Sequence, residues 1–213
     1  MEHYLDNSAT TKVCQAAAEA AMLAMTEIYG NPSSTHTKGR EAKQLLDKSR
    51  KQVADALGCT AQELVFTSCG SESDNWAILN GAELMRRKGM HIISSQVEHD
   101  AVRKSLDELE RRGFEVTRLK PDDTGAIPVQ AVMEALRPDT VLVTLMLVNN
   151  ETGAVTDIGA IARAMKKAGS QALLHTDAVQ AFMKLPFTVK TLGADLVSVS
   201  GHKIHAPKGI GAL

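Results

Sequence analysis

Three cysteines in 213 residues, Cys14, Cys59 and Cys69, are too few and too irregularly spaced for a disulfide framework or a four-thiolate zinc site. They read as reduced thiols in a cytoplasmic protein. Excess charge is also missing. A formal net charge of −1 leaves no bulk field to draw the chain to nucleic acid or to an anionic membrane surface. No apolar run reaches the length of a membrane span, and Met1-Glu2-His3-Tyr4 lacks the basic-then-apolar start of a secretory signal. There is no Walker A sequence and no G-x-G-x-x-G, so nucleotide binding has little support. Internal repeats, low-complexity tracts and linkers are absent as well.

What is present is alternation. With 44% apolar and 23% charged residues the composition is that of an ordinary globular protein, long enough for one substantial core. Helical patterns are expected over Lys12–Tyr29, Gly39–Leu57, from the Ser68–Asp74 turn to about Arg87, and over Ala101–Arg112, Val129–Leu136 and Ile158–Lys167. Strands are expected at Leu64–Thr67, His91–Ser94, Phe114–Leu119, Thr140–Val148, Ala172–His175 and Leu196–Val199. The nearly continuous apolar run at 140–148 marks a strand buried on both faces. The fold this implies is α/β, a three-layer mostly parallel sheet with helices on both faces. The last residues, Gly209-Ile210-Gly211-Ala212-Leu213, look like the beginning of a strand and so predict a domain that is cut short.

In open parallel sheets ligands collect beyond the carboxyl ends of the strands, and four polar clusters fall there. Cys69-Gly70-Ser71 opens a helix, where free N–H groups and the helix dipole suit a phosphate. Ser71 with Asp74 reads equally as a helix cap. Glu98-His99-Asp100 offers a histidine that could ligate a metal, stack on a flat cofactor or sit in solvent. Asn149-Asn150-Glu151 and Thr176-Asp177-Ala178-Val179-Gln180 place an acid able to bind metal, cap a helix or pair with a protonated ring nitrogen. Ser200-Gly201-His202-Lys203 ends in a lysine, with Lys208 close by. A lysine in a partly desolvated pocket loses some preference for its charged form, and its free amine becomes a nucleophile. A metal site from His99, His175, Asp177, His202 and His205 is disfavoured, because the spacing of the last two histidines fits no helical zinc motif and no thiolate pair lies near.

Taken in order, these segments resemble the cysteine desulfurases, within the class V aminotransferase group of fold-type I enzymes that use pyridoxal phosphate (PLP). The resemblance runs through Tyr4–Thr11, Gly30-Asn31-Pro32-Ser33-Ser34 with His36 and Gly39-Arg40, Phe66-Thr67-Ser68, Glu72-Ser73-Asp74-Asn75, Glu98-His99, Val148–Glu151, Thr176–Gln180, Ser200–Lys203 and Pro207–Gly211. It implies that Lys203 carries PLP as a Schiff base and moves protons during turnover. His99 would stack on the ring and assist acid–base steps. Asp177 would pair with the ring nitrogen, Asn150 and Gln180 with the ring hydroxyl, and Gly70, Ser71, Ser200 and His202 with the phosphate. Where family members have threonine, Ser71 keeps the hydroxyl; Cys69 replaces a small residue.

The implied reaction takes sulfur from L-cysteine, leaving L-alanine and an enzyme persulfide for iron–sulfur cluster or thio-cofactor assembly, with a sulfur-acceptor protein as partner and a homodimer as the assembly. The sulfur-accepting cysteine of family members lies beyond residue 213, and none of the three cysteines here matches it. Residues 1–13 would then pack with a small domain that is missing, and 14–213 would form the incomplete PLP-binding large domain. Two other readings stay open: another class V PLP enzyme, such as a selenocysteine lyase or a transaminase, and a non-catalytic fragment that binds a partner.

Overall fold

The computed structural model describes residues 3–213. Seven strands form one sheet in the order β1-β7-β6-β5-β4-β2-β3. The strands are β1 Phe66–Thr67, β2 His91–Ser95, β3 Glu115–Leu119, β4 Thr140–Thr144, β5 Leu173–Asp177, β6 Leu196–Ser200 and β7 Gly211–Ala212. Every pairing among β2 to β6 is parallel. Only β7 runs the other way, wedged antiparallel between β1 and β6.

The helices are α1 Gln15–Thr26, α2 Thr37–Leu57, α3 Gly70–Asn75, α4 Gly81–Met85, α5 Asp100–Arg111, α6 Val129–Ala135, α7 Ile158–Lys167 and α8 Val189–Leu192. They lie on both faces of the sheet. Ile93, Val143, Leu174, Val197 and Val199 point into a core closed by Ala54 and Leu57 of α2, Val132 of α6, Ile158, Ile161 and Met165 of α7, and Leu192 of α8. Ile92 and Leu142 face the opposite way, onto Val102, Leu106 and Leu109 of α5 and onto Ile78 and Ala82. This is the three-layer, mostly parallel arrangement that the alternating pattern implies. β2 and β4 are buried at every position, as strands covered on both faces must be, whereas the edge strand β3 is half-exposed.

Two buried histidines hold the strands in register. His91 contacts Thr140 Oγ1 on β4 and Thr117 Oγ1 on β3, each at 2.8 Å. His175 spans β4 to β6, 2.8 Å from Thr144 Oγ1 and 3.0 Å from Ser198 Oγ. Burial pushes the His175 imidazole down to about 3, so it is neutral and acts as a polar peg under the carboxyl ends of three strands.

The elements depart from the sequence pattern at their ends. The first helix starts at Gln15 rather than Lys12, because Thr11 and Cys14 are drawn into hydrogen bonds with His202 and His205. β4 stops at Thr144, short of Val148; beyond it Leu145 and Leu147 still donate to the His175 and Asp177 carbonyls, so the chain stays against β5 without a regular ladder. The helix expected to run from the Ser68–Asp74 turn to Arg87 is interrupted by a π-helical stretch, Trp76–Asn80, between α3 and α4. The apolar ending does form a strand. Gly211 is required there, since a Cβ would lie 2.7 Å from the Cys69 carbonyl carbon.

Candidate active site

Beyond the carboxyl edge of the sheet lies a cavity of about 660 Å³. β1 delivers Cys69, Gly70 and Ser71 to it, the turn after β2 delivers His99, and the turn after β4 delivers Asn150. β5 ends in Asp177 and the turn after it carries Gln180, while β6 ends in Ser200 and the turn after it carries His202 and Lys203. All nine residues singled out in the sequence therefore line one cavity. Lys208, the alternative lysine, is exposed and does not line it.

The local geometry explains how each side chain is held. His99 caps α5, its Nδ1 accepting from Ala101 N–H at 3.1 Å. With Nδ1 accepting, Nε2 is the ring nitrogen left to donate. Asn149 ties two loops together: Nδ2 donates to the Val97 carbonyl at 3.0 Å, and Oδ1 accepts from the N–H groups of Glu151 and Thr152 at 3.0 and 2.9 Å. This fixes the turn carrying Asn150 against the turn carrying His99. Asp177 is buried, with Oδ1 accepting from Val179 N–H at 2.9 Å. Burial raises its carboxyl, while the Val179 N–H bond first, and then the nearby His99 and Lys203, pull it back down.

Lys203 donates to the carbonyls of Ser8 and, at 2.8 Å, Ala9. Partial burial lowers its ammonium, helped by the positive charge of Lys184 and opposed by Asp177 and Asp6. His202 is lowered too, by burial first and then by Lys203 and Lys208. The opening segment reaches the same turn, with Thr11 donating twice to the His202 carbonyl, at 2.9 Å from N–H and 2.8 Å from Oγ1. Gln180 is engaged with Ser8 and Lys184, at 2.9 and 3.0 Å, rather than reaching freely into the cavity.

Sequence reading missed two acids. Asp74 and Glu98 are buried beside Asp177. Asp74, read as a possible cap partner, lines the cavity and lies 3.6 Å from His175 with its Oδ1 unpartnered. That contact is no ion pair, because burial first and then the charge of Asp177 hold the Asp74 carboxyl well above the usual range, and His175 is neutral. Glu98, pushed up to about 8 by burial, accepts from Ser95 Oγ at 2.5 Å and Met146 N–H at 3.2 Å. A signal was available for Asp74: it sits one helical turn before Ile78, on the apolar side of its helix.

The profile of the class-V aminotransferases matches residues 3–213. The chain belongs to that family. Similar curated class-V relatives include the cysteine desulfurase IscS of Shewanella halifaxensis, 47% identical over 213 residues, and a cysteine desulfurase of a Nostoc species, 48% identical over 210. Each alignment takes in 99% of this chain and 52% of the relative. The chain thus spans about half the length of the curated relatives it matches. Among solved structures, a NifS-like protein aligns with a TM-score of 0.96 at 38% identity, over 100% of this chain and 58% of that one. Another, described as SspA in complex with cysteine, gives 0.94 at 38% identity over 99% and 60%.

The class-V site has a donor set suited to PLP. Ser200 Oγ is buried at the cavity without a hydrogen-bond partner, which suits a phosphate oxygen. Gly70 leaves room where a Cβ would stand 2.7 Å from Val179 Cγ2. Across the cavity stand the buried carboxyl group of Asp177 and the amine of Lys203, groups of the kinds that a pyridine nitrogen and an aldehyde would need.

Proposed function

We propose that this chain is the PLP-binding half of a cysteine desulfurase acting on L-cysteine, with Lys203 as the cofactor lysine. The single observation that carries the reading is the meeting of a partly desolvated lysine amine, a buried carboxylate and a helix-capping histidine in one cavity. The identity to relatives named cysteine desulfurases and the fold shared with a protein described as bound to cysteine support the substrate class.

Bound there, PLP would supply the electron sink that loosens bonds at the substrate's α-carbon. The rest falls to the chain's own residues. Lys203 would hold the cofactor covalently and shuttle a proton through Nζ, eased by its lowered affinity for that proton. Asp177 would keep a proton on the pyridine nitrogen; a cation there would complete the pairing that its burial otherwise lacks. His99 would cover the ring with Nε2 as its donor atom. Gly70, Ser71, Ser200 and His202 would grip the phosphate. Asn150 would meet the ring hydroxyl, joined by Gln180 after its amide exchanges the Ser8 and Lys184 contacts for it.

We assign the sulfur-accepting cysteine to none of the three here. Cys14 is exposed ahead of α1, Cys59 is half-buried beyond α2, and Cys69 stands beside Gly70 and Ser71 at the phosphate end. The complete enzyme is proposed as a cytoplasmic homodimer delivering sulfur to an acceptor protein for iron–sulfur or thio-cofactor assembly; among the described residues no helix is long and apolar enough to cross a membrane.

Borohydride reduction in the presence of PLP, followed by peptide mapping, should leave a pyridoxyl group on Lys203. A pyridoxyl group on Lys208 with Lys203 bare sinks the assignment. Incubating the chain with PLP and L-cysteine should release no more alanine than PLP alone. Multiple-turnover alanine release with persulfide on Cys69 would overturn the reading of the cysteines.

A further inference from the structure

The reversal after β5 passes through a residue held against its preference. Met183 has φ of 58°, in the left-handed region that non-glycine residues seldom adopt, and its side chain is exposed. The turn it closes puts the N–H groups of Lys184 and Leu185 on the Ala181 carbonyl, each at 2.9 Å. Lys184 turns back and donates to Gln180 Oε1 at 3.0 Å. Gln180 Nε2 donates to the Ser8 carbonyl at 2.9 Å. Lys203 donates to that same carbonyl. Two cations thus stand at the ends of one polar chain, Lys184 to Gln180 to Ser8 to Lys203.

We propose that in the cofactor-free site Lys184 is a positioning residue for Lys203: it orients the Gln180 amide that shares the Ser8 carbonyl with the amine, and it adds a second positive charge near that amine. The inference rests on the reading of Lys203 as the cofactor lysine. A neighbouring cation is one of the established ways to hold a lysine amine in its neutral, nucleophilic form. The groups that bear on Lys203 divide cleanly. Asp177 and Asp6 favour its charged state, and Lys184 opposes it together with partial burial. Partial burial lowers Lys184 as well, but its side chain is exposed, so solvent screens part of its effect on Lys203.

The test uses the 213-residue chain without cofactor. Trace acetic anhydride labels each lysine according to its neutral fraction, and mass spectrometry resolves the positions across a pH series. In Lys184→Met the Lys203 profile should move to higher pH, with labelling at pH 8 reduced at least about twofold. Lys184→Arg, which keeps the charge and a donor, should restore the original profile. Lys190 and Lys208 serve as internal references in all three proteins. An unmoved Lys203 profile in Lys184→Met overturns the proposal, and so does an equal shift in the Met and Arg variants. Because no PLP is present, either failure leaves the cofactor assignment standing. A bare Lys203 after borohydride reduction with the labelling result intact would fell that assignment alone.

Discussion

Two hollows of about 660 Å³ open at opposite edges of the same sheet. At the carboxyl edge stand Asp74, His99, Asp177 and Lys203; at the amino edge, where β5 and β6 begin, stand Arg163, Lys166, Lys190 and Asp195. Both are charged, and by size alone they are equals. They differ in whether the polar atoms are already satisfied. Asp195 accepts from Leu174 N–H at 2.8 Å and so serves the backbone. At the carboxyl edge, Asp74 Oδ1 and Ser200 Oγ are buried at the cavity with no partner, and none of the five unpartnered buried side-chain atoms found among the described residues lines the amino-edge hollow. Unpaired buried polar groups are costly, so a fold keeps them where a ligand will complete them. Chemistry is therefore read from the unspent hydrogen-bonding capacity of a hollow, not from its volume.

The largest contrast should come from the lysines. Lys203→Ala is expected to abolish borohydride-trapped pyridoxyl at the carboxyl edge, whereas Lys190→Ala at the other edge should change nothing; mapping both variants side by side breaks the comparison if they behave alike.

Glu98 sharpens it through stability. Its carboxyl is raised from 4.5 to about 8 in the folded state, so the folded protein holds that proton more tightly than the unfolded chain. The contribution is fully present below pH 4.5 and is lost as pH rises toward 8, by roughly 5 kcal/mol at most. Urea denaturation of Glu98→Gln against the parent chain should show the parent losing stability relative to the variant across that window. His175 works in the opposite sense, losing stability as pH falls from 6.5 toward 3, and cancels in the difference. A parallel pair of stability curves would mean that Glu98 ionises freely in the fold.

Asp177→Asn should follow in size. In an active enzyme carrying this sequence, loss of a charge-assisted contact of about 1.5–3 kcal/mol lowers kcat roughly 10- to 100-fold. The melting temperature should scarcely fall, since a buried charge is removed along with the contact. Near-normal turnover would take Asp177 out of the site. The smallest effect belongs to Met183→Gly, where relief of the left-handed conformation is partly offset by a more flexible unfolded chain; calorimetry should find a gain of about 0.5 kcal/mol.

Much of this was legible in the amino-acid order. The apolar runs around Ile92, Val143 and Val197 announce strands because a doubly covered sheet demands them, and the polar residues after each run mark the edge where ligands gather. Nine residues of the cavity's lining, from Gly70 to Lys203, could be named without coordinates. Asp74 and Glu98 were not placed as buried acids, because a carboxylate in a sequence reads as solvated; the helical phase of Asp74 against Ile78 was the one signal to the contrary, and Glu98 had none. The start of α1 was misjudged for a related reason. That helix has no buried residue, so its Ala- and Met-rich composition carries no amphipathic phase to fix an end, and contacts with His202 and His205 decide it instead. Strand order was also beyond reach, since the wedge of β7 between β1 and β6 depends on pairings across nearly the whole chain.

That wedge has a consequence for synthesis. β1 pairs only with β7, Phe66 opposite Ala212 and Thr67 opposite Gly211. The segment leading into Cys69, Gly70 and Ser71 therefore has no place in the sheet until residues 211–212 have left the ribosome. At about 5–20 residues per second, that is a wait on the order of ten seconds. Throughout it the backbone edge of β1 stays unpaired, although Arg50 of α2 already covers the Phe66 ring, a window in which a chaperone or a neighbouring nascent chain competes for the same edge.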